Sequence, residues 1–536
     1  MVIFGSVNKD IGGNIMKNSM KGFAAIVFAL LLLLAGCGGT DTSSESEQSG
    51  QTADTTEATT TDTTTLIAGL DDDPPQLDPH FSTAAVDRQL FHSIYDKLVD
   101  VDAELNFVPQ LAKEWEITDG GKVYTFKLQE GVTFHDGTPF NAEAVKFNFE
   151  RMMDPEAGSP RASELASIDT IEVVDEHTIK VTLTEPYSPF LAALSDRAGM
   201  MVSPTALEEK GEDFANSPVG TGPYKFVSRV KQDKIEVEKN AEYWGGEPSF
   251  EKIVYRPYPD ENTRLTNLLS GDVDIINKVP PKDIEKLKTD SSITLSEAGA
   301  LGFQGLYLNH KSEPFNNKAL RQALDLVIDR EAIIKVALRD TAVAAAGAIP
   351  PGTWAYDESI KPTEKNIEKA KQIMADAGYP DGFSFTLKLS NKPVEQQLGQ
   401  MIQSMAAEAG ITVEVELIEF GAMLDDMDNF EFDAVRLGWS GRTDPDGNIF
   451  ALYHTTGSIN YGYSNSDMDA LLEQARVETD QAERKKIYTQ AQELAKEEVP
   501  YIFIYHELDY KAFKNNVQGY RHIPDQMMRF HDVSKQ

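Results

Sequence analysis

From Leu66 onward the chain moves between two hydrophobic rhythms, one of period two and one of about 3.6 residues, and this mixture predicts an α/β protein rather than a bundle or a sandwich. Val123-Tyr124-Thr125-Phe126-Lys127-Leu128 alternates as a half-buried strand does, and so does Thr178-Ile179-Lys180-Val181-Thr182-Leu183. Lys234 to Glu238 and Thr412 to Leu417 repeat the pattern. Helix starts are read from cap residues. Asn141 precedes a stripe of Val145, Phe149 and Met152, and Asn317 precedes Leu320, Leu324, Val327 and Ile328. Ser466-Asp467-Met468-Asp469 reads as a capping box that opens a helix with Met468, Leu471, Leu472 and Ala475 facing inward. A further helix carrying Ile487, Ala491, Leu494 and Ala495 ends before Pro500, and Tyr501 to Tyr505 reads as a fully buried strand.

The amino-terminal part follows a different logic. Lys17 and Lys21 precede an apolar run from Phe23 to Leu34 that meets Leu34-Ala35-Gly36-Cys37. The run is too short for a membrane span, which needs roughly 20 apolar residues, and small residues before a cysteine fit a lipoprotein signal peptide over residues 1–36. Translation is expected to begin at Met16 or Met20, with residues 1–15 upstream of it. Cys37 is the only cysteine in 536 residues, so its lipidation leaves no thiol for a disulfide. Residues 37–65 are almost entirely Gly, Thr, Ser, Asp, Glu and Gln, a composition that cannot bury enough surface to fold and that serves as a tether with a reach of roughly 30 Å. The net charge of −36 argues against nucleic acid as a partner and against electrostatic docking on anionic lipid. A chain of this length divides into at least two core-bearing units.

A series of segments then resembles, in order, the family 5 extracellular solute-binding proteins, which include the dipeptide- and oligopeptide-binding receptors of ABC importers. The series runs from Leu77-Asp78-Pro79 through Leu111-Ala112-Lys113-Glu114-Trp115 to Gly131-Val132-Thr133-Phe134-His135-Asp136-Gly137-Thr138-Pro139-Phe140. It continues with Val219-Gly220-Thr221-Gly222-Pro223-Tyr224-Lys225-Phe226, with Asn240 to Trp244, and with Ala319-Leu320-Arg321-Gln322-Ala323. Leu437-Gly438-Trp439, Tyr463-Ser464-Asn465 and Pro500 complete it. Physically these are turns and junctions. Gly220 to Gly222 lacks the third glycine and the following helix of a dinucleotide fingerprint. The resemblance implies a two-lobed, periplasmic-binding-protein-like clamshell of mixed sheets flanked by helices. Lobe 1 is expected from residues 66–302 and 506–536, with a subdomain inserted at about 81–213, and lobe 2 from residues 303–505.

The segment richest in recognition chemistry is Trp439-Ser440-Gly441-Arg442-Thr443-Asp444-Pro445-Asp446-Gly447-Asn448, which joins an aromatic face, a guanidinium and two carboxylates in a loop. In peptide-binding members of the resembled family, Trp-x-x-Asp here holds the ligand's amino group. Arg442 occupies that acidic position in this chain, so an ammonium would be repelled. Either Asp444 or Asp446 replaces the acid, or the ligand presents an anion to Arg442. The bland alternative is a surface ion pair between Arg442 and Asp444 or Asp446, with Trp439 as core packing. Tyr461 and Tyr463 are further candidates for stacking, and Lys392 for pairing with a ligand carboxylate. Asp444, Asp446 and Asn448 have alternate spacing, but Gly447 and Thr455 stand in the wrong places for a calcium loop, so neither metal nor cofactor is expected.

A hydrolase is the principal rival class. Nine histidines include no His-x-x-x-His pair, and no Gly-x-Ser-x-Gly elbow occurs. The expectation is therefore a monomeric, non-enzymatic receptor, lipid-anchored on the extracytoplasmic face and more in keeping with a Gram-positive surface than a periplasm. It would bind a small peptide-like solute and hand it to ABC permease subunits. An opine, a nickel complex, haem or an oligosaccharide is the alternative cargo, and a peptide-sensing receptor the alternative role.

Overall fold

The computed structural model describes residues 62–536; the expected signal peptide, Cys37 and the expected tether up to residue 61 lie outside the described residues. A twelve-stranded mixed sheet forms the backbone of the fold. Its order is Thr412–Ile418, Ser384–Ser390, Ala434–Trp439, Phe303–Leu308, Tyr501–Lys514, Ile275–Ile276, Thr65–Leu70, Lys252–Pro257, Lys234–Lys239 and Tyr224–Val230, with Ile293–Gly299 and Ala342–Ala344 also paired to Tyr501–Lys514. A separate antiparallel sheet of four strands runs Ala112–Thr118, Val123–Leu128, Thr178–Leu183, Ile168–Asp175. Helix Ala142–Met153 buries Val145, Phe149 and Met152 against it, as the stripe requires.

The burial of apolar side chains divides the molecule in two. Two hydrophobic clusters draw only on residues from Phe303 to Tyr505, and two draw only on residues before Leu301 and after Tyr505. The result is a two-lobed clamshell in which the chain crosses between lobes at Gly299–Phe303 and again within Tyr501–Lys514. That last strand is nine residues longer than the apolar run predicts. Its first part, Tyr501 to Tyr505, pairs with Phe303–Leu308, and its last part, from Leu508, pairs with Ile293–Gly299 in the other lobe. Charges hide the continuation, because Asp509 and Lys511 are buried as an ion pair at 2.6 Å, with His522 on the same carboxylate at 2.7 Å.

The caps follow the sequence closely, with one shift. Asn141 accepts a hydrogen bond from the Ala144 amide at 3.1 Å, and Asn317 from the Ala319 amide at 3.0 Å. At Ser466–Val477 the cap is Asn465, not Ser466. The Asn465 Oδ1 accepts from the amides of Asp467 and Met468, and Ser466 becomes the first helical residue.

Two of the segments quoted above converge on one buried carboxylate. Asp96 accepts hydrogen bonds from Trp244 Nε1 at 2.8 Å, Tyr243 OH at 2.9 Å and Thr221 Oγ1 at 3.0 Å. Gly220 and Gly222 are needed beside it because a Cβ there would meet the Ile94 carbonyl group at 2.2 and 2.6 Å. Burial pushes the Asp96 pKa up to about 6, although its three donors pull the other way. The folded state therefore holds this proton to about pH 6 while the unfolded chain releases it near 3.8. Its contribution to stability is full below the unfolded value and is lost as pH rises through the folded one. Replacing Asp96 with Asn is expected to flatten that decline, as measured by urea midpoints across the interval from about pH 4 to about pH 6. An unchanged pH slope would remove Asp96 from the account.

Candidate ligand-binding site

The strand Ala434–Trp439 delivers Trp439 to its carboxyl end, where the chain turns at Gly441 into helix Asp446–Tyr453. The turn is tight. Gly441 has φ +84°, and a Cβ there would lie 2.2 Å from the Leu301 carbonyl carbon. Asn448 fixes the loop from behind, donating to the carbonyls of Leu301 at 2.9 Å and Ala348 at 3.1 Å while its Oδ1 accepts the Arg442 amide at 2.9 Å. Trp439 donates its Nε1 to the Gly447 carbonyl at 3.1 Å, and the Arg442 guanidinium lies over its ring at 4.5 Å. Core packing and ligand-facing geometry thus coexist in Trp439.

This loop forms one wall of a cavity of about 380 Å³. The opposite wall comes from the other lobe and includes Arg161, Glu164, Tyr187, Ala192 and Asp196. The walls touch around it. Ser188 donates its amide to the Arg476 carbonyl at 2.9 Å and its hydroxyl to the Glu478 carbonyl, and Arg442 Nε reaches Asp196 Oδ2 at 3.7 Å. These contacts bring the two lobes together around a partly open space.

Four of the seven ligand-site residues expected from sequence, Trp439, Arg442, Asp444 and Asp446, line this cavity. The carboxylates, however, are already engaged. Asp444 receives a bidentate pair from Arg484 at 2.9 and 2.9 Å, and Asp446 a bidentate pair from Arg476 at 2.9 and 2.9 Å. Neither pairs with Arg442, so the local ion pair considered from the sequence does not form; residues far along the chain outcompete it. Nor do the two carboxylates share a centre where a cation would sit. Tyr461 lies away from the cavity, edge-on to Tyr307 at 5.2 Å and Phe432 at 5.4 Å within the lobe 2 core. Tyr463 is buried beside His310 in that same lobe. Lys392 is an exposed residue at the start of helix Pro393–Ala407 and does not line the cavity.

The sequence reading missed Arg161, Glu164 and Asp196. The signal for Asp196 was present, since Asp196-Arg197 interrupts the apolar stretch from Phe190 to Val202, and charges inside such a stretch are paired or functional. Asp196 is buried with Arg88 at 3.0 Å, Arg442 at 3.7 Å and Arg197 at 4.0 Å. Burial would raise its pKa, but Arg88, Arg197 and Arg442 together hold it well below the usual carboxylate range. Burial lowers the pKa of Arg442, against the pull of Asp196. For Arg197 burial, reinforced by the neighbouring arginines, brings it down to about 9. Chemically, the cavity offers guanidinium forks to an anion and an aromatic face to whatever lies between them.

Two lobes with a space of solute size between them define the clamshell class of binding-protein folds. The chain belongs to the bacterial extracellular solute-binding proteins of family 5, whose profile, described as the family 5 middle region, matches residues 106–460. It is 34% identical over 475 residues to the glutathione-binding protein GsiB of Shigella flexneri, covering 86% of this chain and 92% of that one. Among solved structures it resembles the ABC transporter-associated periplasmic binding protein DppA of Helicobacter pylori in complex with the peptide STSA. That match has TM-score 0.81, 30% identity and coverage of 88% and 98% of the two chains. The binding protein AgaA of A. tumefaciens R10 in complex with agropinic acid is equally similar, with TM-score 0.81, 30% identity and coverage of 88% and 99%.

Proposed function

We propose that this protein is the extracytoplasmic receptor of an ABC importer, closing on a small peptide-like solute whose anionic group meets Arg442 and presenting the closed form to the permease. Residues 66–302 with 506–536 act as one lobe, residues 303–505 as the other, and the two chain crossings as the hinge. The observation that carries the reading is Arg442 itself. It projects from one lobe into a partly open cavity, over an aromatic ring, and its one carboxylate contact among the described residues is 3.7 Å away on the opposite lobe. Its Nη1 donates to the Gly441 carbonyl at 2.7 Å, which leaves Nε and Nη2 for an anionic acceptor.

Relatives support a peptide-like cargo, since 34% identity extends over most of the chain to proteins named for glutathione, and a structural neighbour holds the peptide STSA. An opine is the second reading, favoured by the equal likeness to the agropinic acid complex. Both are anionic. In this reading Cys37 carries the lipid that keeps the receptor beside its permease. Among the described residues no helix is long and apolar enough to cross a membrane.

Uptake of labelled glutathione by cells lacking this protein tests the role. Loss of uptake, restored by the intact chain, is the expected result. Undiminished uptake together with a lost transcriptional response to peptide would instead indicate a sensor.

A further inference from the structure

The charges around the cavity do not balance. Asp444 and Asp446 each have a bidentate arginine of their own, Arg484 and Arg476, and drop out of the account. What remains is one cluster, in which the carboxylates within 4 Å of Arg88, Arg161, Arg197 and Arg442 among the described residues are Asp196 and Glu164, with Asp87 and Asp525 acting on Arg197 and Arg88 from farther away. In direct contact, four guanidiniums therefore meet two carboxylates. Arg88, Arg161 and Arg197 are each no more than 6% exposed, so water is not their counterion. The surplus is local, since the chain as a whole carries −36.

Hydrogen bonding shows the same deficit. The Nε groups of Arg161, in the cavity wall, and of Arg197, outside it, are buried without a hydrogen-bond partner. A buried guanidinium donor left unpaired is costly, and the one in the cavity wall awaits an acceptor. Burial chiefly depresses the pKa of Arg197, and the positive charges of Arg161, Arg442 and Arg88 add to it.

We infer that the solute carries two separated anionic groups, one received by Arg442 of one lobe and the other by Arg161 of the opposite lobe. This rests on the reading of the cavity as the solute site. Both arginines line the cavity, so an anion on each ties the lobes together through the ligand. Asp196 has a nearer partner in Arg88, at 3.0 Å, and keeps it when Arg442 turns to the solute. A single carboxylate would engage the arginine of one wall and leave that of the other without a ligand acceptor. The ligand class is thus a small dicarboxylate of peptide-like or amino-acid-conjugate build.

Calorimetry of the unaltered protein with glutathione, glutathione monoethyl ester and triglycine tests this, because glutathione has two carboxylates and each of the others has one. The ester and triglycine are expected to bind at least about tenfold more weakly than glutathione. In one of the variants Arg161→Gln and Arg442→Gln, glutathione and its ester should then bind alike, since the arginine facing the masked carboxylate is gone. Equal affinity of the unaltered protein for glutathione and its ester overturns the two-anion inference while leaving the receptor role intact. Failure of all three to bind overturns both.

Discussion

Replacing Asp444 with Ala is expected to destabilise the protein by about 3–5 kcal/mol, the cost of leaving a buried charge without its partner. Asp444 and Arg484 are 6% and 5% exposed, and both carboxylate oxygens accept from the guanidinium at 2.9 Å. Arg484 is pinned as well by its bond to the Ala475 carbonyl at 3.0 Å and by Tyr488 OH at 2.9 Å, so it cannot swing out to water when the carboxylate goes. Asp446→Ala should cost clearly less. Its partner Arg476 has 30% of its side chain exposed and can rehydrate. Urea denaturation of the two variants beside the parent checks the order, and a loss below about 1 kcal/mol for Asp444→Ala would show that the pair is not the strut described here.

Arg442→Ala is expected to act in the opposite way, on affinity rather than on folding. A hydrogen bond to a charged group contributes about 1.5–3 kcal/mol, so affinity for glutathione should fall roughly 10- to 100-fold. Stability should change little, because the Arg442 contact to Asp196 is long, at 3.7 Å, and Arg88 retains that carboxylate at 3.0 Å. Arg442→Lys should be intermediate, since an ammonium keeps the charge and loses the fork. Calorimetry and denaturation on the same preparations separate the two effects. A variant that binds as the parent does would place Arg442 outside the site.

How far the sequence exposes these features depends on how local their causes are. Caps and strand alternation are local, and Asn141, Asn317 and Val123–Leu128 appear in the structure where their residues predict. The loop from Trp439 to Asn448 was recognisable because its chemistry is concentrated in ten residues. Its ion pairing was not, since Arg476 and Arg484 lie some thirty and forty positions away and reach Asp446 and Asp444 only through the packing of helices Ser466–Val477 and Gln481–Glu498. Tyr461 reads as a ligand-stacking residue in a list of aromatic positions, yet its ring fills a gap between Tyr307, Phe430 and Phe432. The opposite wall was the least legible part. Arg161 and Asp196 belong to a segment more than two hundred residues before Arg442, and only closure of the lobes brings them to one cavity.

Mass spectrometry of the freshly purified protein under native conditions bears most directly on the claim that opposed walls hold an anionic solute. A small, carboxylate-bearing molecule travelling with the parent and absent from the Arg442→Ala variant is the predicted outcome. Recovery of the same molecule from both proteins, or its conversion to products during incubation, would contradict the account.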